Sequence, residues 1–182
     1  MAKKKRTVIE KESVVVKFVG DSGDGMQLTG DMFSDMAALS GNDLATFPDF
    51  PSEIRAPQNT IAGVSGFQVH MGSSKIFTTG DLVDVLVTMN PASLKSNLKW
   101  AKKGATILTD ADAYDEKSIE KAGYKQDPLK DSSLESFNLI KAPITTLTKE
   151  SLKSLDIDSK TAERSKNMFA LGVLCWIYSL DL

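Results

Sequence analysis

Residues 14–30 read Val-Val-Val-Lys-Phe-Val-Gly-Asp-Ser-Gly-Asp-Gly-Met-Gln-Leu-Thr-Gly, an apolar run that enters a glycine-dense turn and opens directly onto a helical pattern. A strand of this kind followed at once by a helix is a βα unit, the building block of α/β folds. Glycines at 20, 23 and 25 let the backbone take positive φ and approach neighbours without a Cβ. Amide groups and a helix N-terminus can then face an anion, which makes Gly20, Ser22, Gly23 and Gly25 candidate ligand-facing residues.

The turn departs from the dinucleotide fingerprint. Ser22 stands where the second glycine of G-x-G-x-x-G belongs, and Asp21 and Asp24 put negative charge where a pyrophosphate would rest. The acids at the spacing of a ribose ligand, Asp43 and Asp49, follow no convincing strand. No Gly-Lys-Ser/Thr follows, so the P-loop reading fails as well. Two readings stay open: a turn that faces a ligand or partner, and one that only packs helix against sheet.

With 182 residues, 41% of them hydrophobic, the chain has the size of one domain with a substantial core. A net charge of -2 supplies no field for nucleic acid, and the basic run Lys3 to Arg6 reads as part of a disordered tail over residues 1–12, ahead of a single domain over 13–182. One cysteine, Cys175, and one histidine, His70, exclude an internal disulfide framework and a dense Cys/His metal site. No apolar run approaches the ~20 residues of a membrane span, so the expectation is a cytoplasmic protein with no membrane or nucleic-acid partner.

Apolar side chains at Met26, Leu28, Met32, Phe33, Met36, Ala37 and Leu39 predict a helix over 26–40, stopped by Gly41 and Asn42. Leu44 to Pro57, with three prolines, two phenylalanines and the pair Glu53 and Arg55, reads as an extended or looping insert. Residues 61–71 alternate as a strand, and Gly72-Ser-Ser before Lys75-Ile-Phe-Thr predicts an antiparallel hairpin. The run 84–90, a helix over 91–103 with proline in its first turn and ended by Gly104, and a strand over 105–110 form a βαβ unit. A polar stretch over 111–135 holds a short exposed helix, 137–144 forms an edge strand that exits at Pro143, and a last helix runs from about 158 to 179.

Catalytic machinery is sparse. His70 falls within an alternating strand, where a face or core position outweighs a general base, and no serine sits in a G-x-S-x-G elbow. Asp21 and Asp24 are suited to capping the following helix or to neutralising a turn. Arg55, one of three arginines, places a planar charged fork inside an apolar loop, as a phosphate or carboxylate site requires, with an ion pair to Glu53 as the competing reading.

Five blocks occur in order: 20–30, Phe50-Pro-Ser-Glu-Ile-Arg-Ala-Pro57, Ala62-Gly-Val-Ser-Gly-Phe-Gln-Val69, Met89-Asn-Pro-Ala-Ser-Leu-Lys95 and Asn167-Met-Phe-Ala-Leu-Gly172. Together they resemble the gamma domain of 2-oxoacid:ferredoxin oxidoreductases, most closely the N-terminal region of alpha subunits of the 2-oxoglutarate enzymes. The resemblance implies a three-layer α/β/α fold, with a mostly parallel central sheet and an antiparallel hairpin element, like domain III of the pyruvate enzymes. It implies an enzyme that decarboxylates a 2-oxoacid on thiamine diphosphate, passes two electrons through iron–sulfur clusters to ferredoxin and forms an acyl-coenzyme A. This chain lacks the cysteines for clusters, and Gly23-Asp-Gly25 has no asparagine pair after it to complete a thiamine motif. Thiamine diphosphate, Mg and the clusters are therefore expected in partner alpha and beta domains or subunits. The chain itself would be structural and coenzyme-A-side, either excised from a longer alpha subunit or a short subunit. Carried onto this sequence, the match points to the glycine turn and to Arg55 as a contact to the anionic part of coenzyme A, with Lys95 and Asn90, at a strand end and helix start, as secondary candidates. A free-standing Rossmann-like nucleotide- or anion-binding module, and a pure assembly domain, remain the alternatives.

Overall fold

A computed structural model describes residues 9–50 and 63–180. Strand β1 (Ser13–Asp21) is buried from Val14 to Gly20, because it lies inside a six-stranded sheet of order β2-β3-β1-β4-β5-β6. It pairs antiparallel with β3 (Val64–Gly72) on one side and parallel with β4 (Val83–Thr88) on the other. β5 (Ala101–Asp110) and β6 (Asn138–Ala142) continue the parallel set, and β2 (Asp43–Asp49) closes the far edge antiparallel to β3. β3 is thus the single reversed strand of this sheet, and the α/β class with a mostly parallel sheet follows.

Alternation along β1 divides the core in two. Val14, Val16 and Phe18 face helix α1 (Met26–Leu39), through Met26, Phe33 and Ala37, and helix α6 (Lys166–Tyr178), through Leu171 and Leu174. Ile144, at the start of helix α4 (Ile144–Ser151), joins this face. Val15 and Val19 face the opposite layer, where Leu94 of helix α2 (Pro91–Asn97) packs with Tyr114, Leu129 and Leu134, and Ile119 of helix α3 (Glu116–Lys121) lies alongside. The result is three layers. Among the described residues no helix is long and apolar enough to cross a membrane.

Several expected elements change shape. The hairpin over 72–78 is absent: both edges of β3 are already taken by β1 and β2, so Lys75–Thr78 has no strand to pair with. That segment is tied across β3 instead: Gln68 donates to Thr79 O (2.8 Å) and Gly80 O (2.6 Å), and His70 Nδ1 lies 2.7 Å from Thr78 O. Residues 43–49, expected as a looping insert with acids that follow no strand, form β2, so Asp49 does end a strand. That strand is not the neighbour of β1, as a dinucleotide site would need. The helix expected over 91–103 stops at Asn97 and passes through a 3-10 turn, because Ala101 pairs with Val83 and turns Gly104 into part of β5. The last helix is two, α5 (Ser159–Arg164) and α6, divided at Ser165.

At the amino end of the sheet Asp84 ties three strands together. Its carboxylate accepts from Val15 N (3.0 Å), Lys102 Nζ (2.8 Å) and Lys11 Nζ (3.5 Å). Burial pushes its pKa up, yet the hydrogen bonds from Lys102 and Val15 and the two lysine charges outweigh it and hold the carboxyl below its usual value. A depressed carboxylate stabilises the fold above its unfolded value and loses that contribution as pH falls. Asp84→Asn should therefore cost about 1–3 kcal/mol in denaturant unfolding at neutral pH, with the gap from the parent closing below about pH 4.

Gly30 lies where α1 touches β3: a Cβ there would stand 2.2 Å from the ring of the buried Phe67. Alanine gains about 1 kcal/mol of helix propensity, but a fixed ring at that distance must be displaced, which costs about 1–3 kcal/mol or more. Overpacking outweighs propensity, so Gly30→Ala should lower the melting temperature, whereas a rise would contradict the close approach of α1 to the sheet.

Candidate functional site

β1 leads into α1 on one face of the sheet and β4 leads into α2 on the other, so the two chains part company at their carboxyl ends. Such a divergence opens the crevice where α/β proteins bind ligands. The glycine turn forms one wall and Asn90 the other. A cavity of about 90 Å³ lies there, lined by Asp21, Asn90, Pro91, Ala92, Ser118 and Lys121.

Within the turn Gly20 ends the apolar part of β1, Ser22 is exposed, and Gly23 has φ 109°. Gly25 caps α1 at φ 74°, and a Cβ there would stand 2.4 Å from Asn167 Nδ2. No side chain caps α1, which corrects the expectation that Asp21 or Asp24 does so. Asp24 instead folds back. Its Oδ2 accepts from Asp21 N at 2.9 Å and its Oδ1 pairs with Lys166 Nζ at 3.1 Å, with both side chains mostly buried. Asn167 Nδ2 reaches Gly25 O at 3.4 Å, so the start of α6 clamps the turn through two adjacent residues.

Asn90 holds α2 by a reciprocal capping box with Ser93, with Ser93 N donating to Asn90 Oδ1 at 2.8 Å. Its side chain also lowers the Asp21 pKa. Among the described residues Asp21 Oδ1 is buried with no hydrogen-bond partner. Burial first, then repulsion from Asp24, raises the Asp21 pKa against the Asn90 side chain and the charges of Lys121 and Lys166. The structure thus brings Gly20, Ser22, Gly23, Gly25 and Asn90 to one edge. Lys95 points elsewhere: its ammonium donates to Gly123 O at 2.6 Å and lies 5.0 Å from the Tyr124 ring, bracing α3 against α2. Arg55 and Glu53 lie outside the described residues.

Three side chains not singled out by sequence act at this edge. Gln27 Nε2, on the first turn of α1, faces Gly66 O (2.7 Å), Ser65 Oγ (3.1 Å) and Asp49 O (3.4 Å). Lys17, buried on β1, reaches across to Asp49 Oδ2 at 3.1 Å. Lys166 completes the set. Gln27 and Asn167 belong to the first and last of the five blocks, so blocks far apart in sequence meet here. A larger groove of about 780 Å³ opens at the amino end of the sheet, near Lys11, Asp84, Lys102 and Trp176, and no described block residue lines it.

Among the described residues the donors needed for redox cofactors do not come together. Cys175 is fully buried in α6 with Sγ 3.7 Å from Met36 Sδ, and burial pushes its thiol pKa up. Among the described residues no three His, Cys, Asp or Glu side chains cluster to hold a metal. The acid of the Gly23-Asp-Gly25 triplet has both oxygens engaged.

The family model of pyruvate ferredoxin/flavodoxin oxidoreductases matches residues 15–182. The 2-oxoglutarate oxidoreductase subunit KorA of Mycobacterium tuberculosis is 46% identical over 171 residues, 94% of this chain and 26% of that protein. The 2-oxoglutarate:ferredoxin oxidoreductase of Magnetococcus marinus, solved with 2-oxoglutarate, coenzyme A and succinyl-CoA bound, superposes with TM-score 0.67 at 28% identity, over 91% of this chain and 24% of that one. The gamma subunit of a keto/oxoacid ferredoxin oxidoreductase from Geobacter sulfurreducens shares the fold, with TM-score 0.60 at 18% identity over 89% of this chain and 75% of its own. The chain spans about a quarter of the length of the first two relatives. A sheet whose reversed strand sits beside β1, and blocks that meet at one edge, accompany these matches: the chain belongs to the pyruvate ferredoxin/flavodoxin oxidoreductase family.

Proposed function

We propose that this chain is the gamma domain of a 2-oxoglutarate:ferredoxin oxidoreductase, with a structural and coenzyme-A-side role. The observation that carries the reading is 46% identity across 94% of the chain to a 2-oxoglutarate oxidoreductase subunit. In such an enzyme thiamine diphosphate supplies the decarboxylation chemistry and clusters take the two electrons on to ferredoxin. On this reading both groups belong to partner domains or subunits.

What this chain's residues do is bind and position. The turn 20–25 opens α1 without a side-chain cap, and Lys166 offsets the charge of Asp24, so the edge is less hostile to an anion than its sequence suggests. Asp49 and Gly66, paired across β2 and β3, lie at the same edge. Arg55 is assigned to the anionic part of coenzyme A, which a guanidinium grips in bidentate fashion. Gly20, Ser22, Gly23, Gly25 and Asn90 shape the approach, and Lys95 contributes through α3. A pure assembly role is favoured by a different observation, the internal satisfaction of Asp24 and of the Asn90 capping box.

In the complete enzyme that contains this chain, viologen reduction should require 2-oxoglutarate and coenzyme A together. Arg55→Ala should raise the coenzyme A concentration for half-maximal rate roughly tenfold or more, the worth of a charge-assisted hydrogen bond, with the KM for 2-oxoglutarate unchanged. An unaltered coenzyme A requirement would favour the assembly role. Tight NAD binding by the chain alone would favour a nucleotide-binding module.

A further inference from the structure

We infer that the outward face of α6, formed by Phe169, Gly172, Val173 and Trp176, is a permanent docking surface for an uncharged, apolar face of the same enzyme outside residues 1–182, a role independent of where coenzyme A binds. No charged residue occurs from Asn167 to Leu180, in a chain whose residues are 25% charged. One side of α6 is apolar for an internal reason: Ala170, Leu171, Leu174 and Cys175 are buried in the core. At about 3.6 residues per turn the opposite side is made by Phe169, Gly172, Val173 and Trp176, the first three half-buried and the last exposed. A helix that is apolar all round is one that is covered all round.

The other helices show what a solvated face looks like in this protein. Asp31 and Asp35 on α1, Glu150 on α4, and Lys160, Glu163 and Arg164 on α5 are all exposed. Beyond Lys166 at its start, α6 carries nothing comparable. Gly172 is a second, independent observation. A glycine inside a helix costs about 1 kcal/mol relative to alanine, yet a Cβ added at Gly172 would meet nothing within 4 Å. Gly30 differs, because the Phe67 ring occupies the corresponding space. The absent side chain leaves a recess beside Phe169 and Trp176 that is open outward, which lets another surface approach the helix backbone closely. The character of the occupant follows from the missing charge. A charged partner face would be desolvated here with no counter-ion, so the face that fits is itself uncharged and apolar. Interfaces of that composition belong to permanent assemblies. About three quarters of the Mycobacterium subunit and of the Magnetococcus enzyme lies outside the region matched by this chain, and that remainder is where such a face is to be found. With 13 residues, α6 is too short to span a bilayer instead.

The experiment uses the complete enzyme with Phe169 replaced by the photoreactive p-benzoylphenylalanine, irradiated and digested, with the linked peptides identified by mass spectrometry. The expected product joins position 169 to an apolar, uncharged stretch outside residues 1–182. Gly172→Leu in the same background fills the recess at a position where the chain itself has room, so the domain keeps its fold, which unchanged hydrogen exchange in β1 verifies. It should cut the yield of that product about tenfold, the effect of overpacking a close contact, and Gly172→Ala should cut it less. A cross-link confined to residues 1–182, whether within one chain or between two copies, overturns the inference, as does the absence of any cross-link. A yield that Gly172→Leu leaves unchanged in a folded domain overturns it as well.

Discussion

Strand β1 is under a constraint that shapes everything around it: it is apolar on both faces and hydrogen-bonded on both edges, so it has to lie in the middle of the sheet. Val14, Val16 and Phe18 demand one helical layer, and Val15 and Val19 demand another. With β3 antiparallel on one flank and β4 parallel on the other, only the β4 side offers the divergence of successive helices that opens a crevice. The glycine turn at the end of β1 therefore sits beside that crevice.

The turn is stabilised from a distance. Lys166 and Asn167, at the start of α6, bind Asp24 and Gly25, and the break at Ser165 lets α6 begin at that point. This pairing accounts for acids in a turn that otherwise looks built for anions. Asp24 is offset by a lysine, and burial raises the pKa of Asp21 so that its charge costs more than usual. The edge is a braced corner where α1, α2 and α6 meet the strand ends.

Much of the fold was legible in the sequence, because its elements announce themselves locally: the run 14–20, the stripe from Met26 to Leu39, and Asn90-Pro91 opening a helix. What was not legible depended on pairing. Residues 75–78 have strand-like composition, but β3 had no free edge to offer them, and residues 98–101 have helical spacing, but Val83 paired with Ala101. At the site, the glycines and Asn90 could be read from turn and capping chemistry. Gln27, Lys17 and Lys166 could not, since each acts on residues 22 or more positions away, with nothing local to signal it. Lys95 was chosen for its place at a helix start, yet its partner Gly123 lies on a neighbouring element whose position only the packing reveals.

The Mycobacterium subunit and the Magnetococcus enzyme are each about four times longer than this chain, so its chemistry has to be judged in the complete enzyme. On the proposed function, the carboxyl edge around β1 is where the domain meets coenzyme A. Hydrogen–deuterium exchange of the complete enzyme, with and without coenzyme A, tests it most directly. The account predicts ligand-dependent protection of amides in residues 20–29 and at the stems near Asp49 and Ser65, with the amino-end groove near Lys102 and Trp176 unaffected. Protection at that groove, or none anywhere in this chain while coenzyme A is bound, would contradict it.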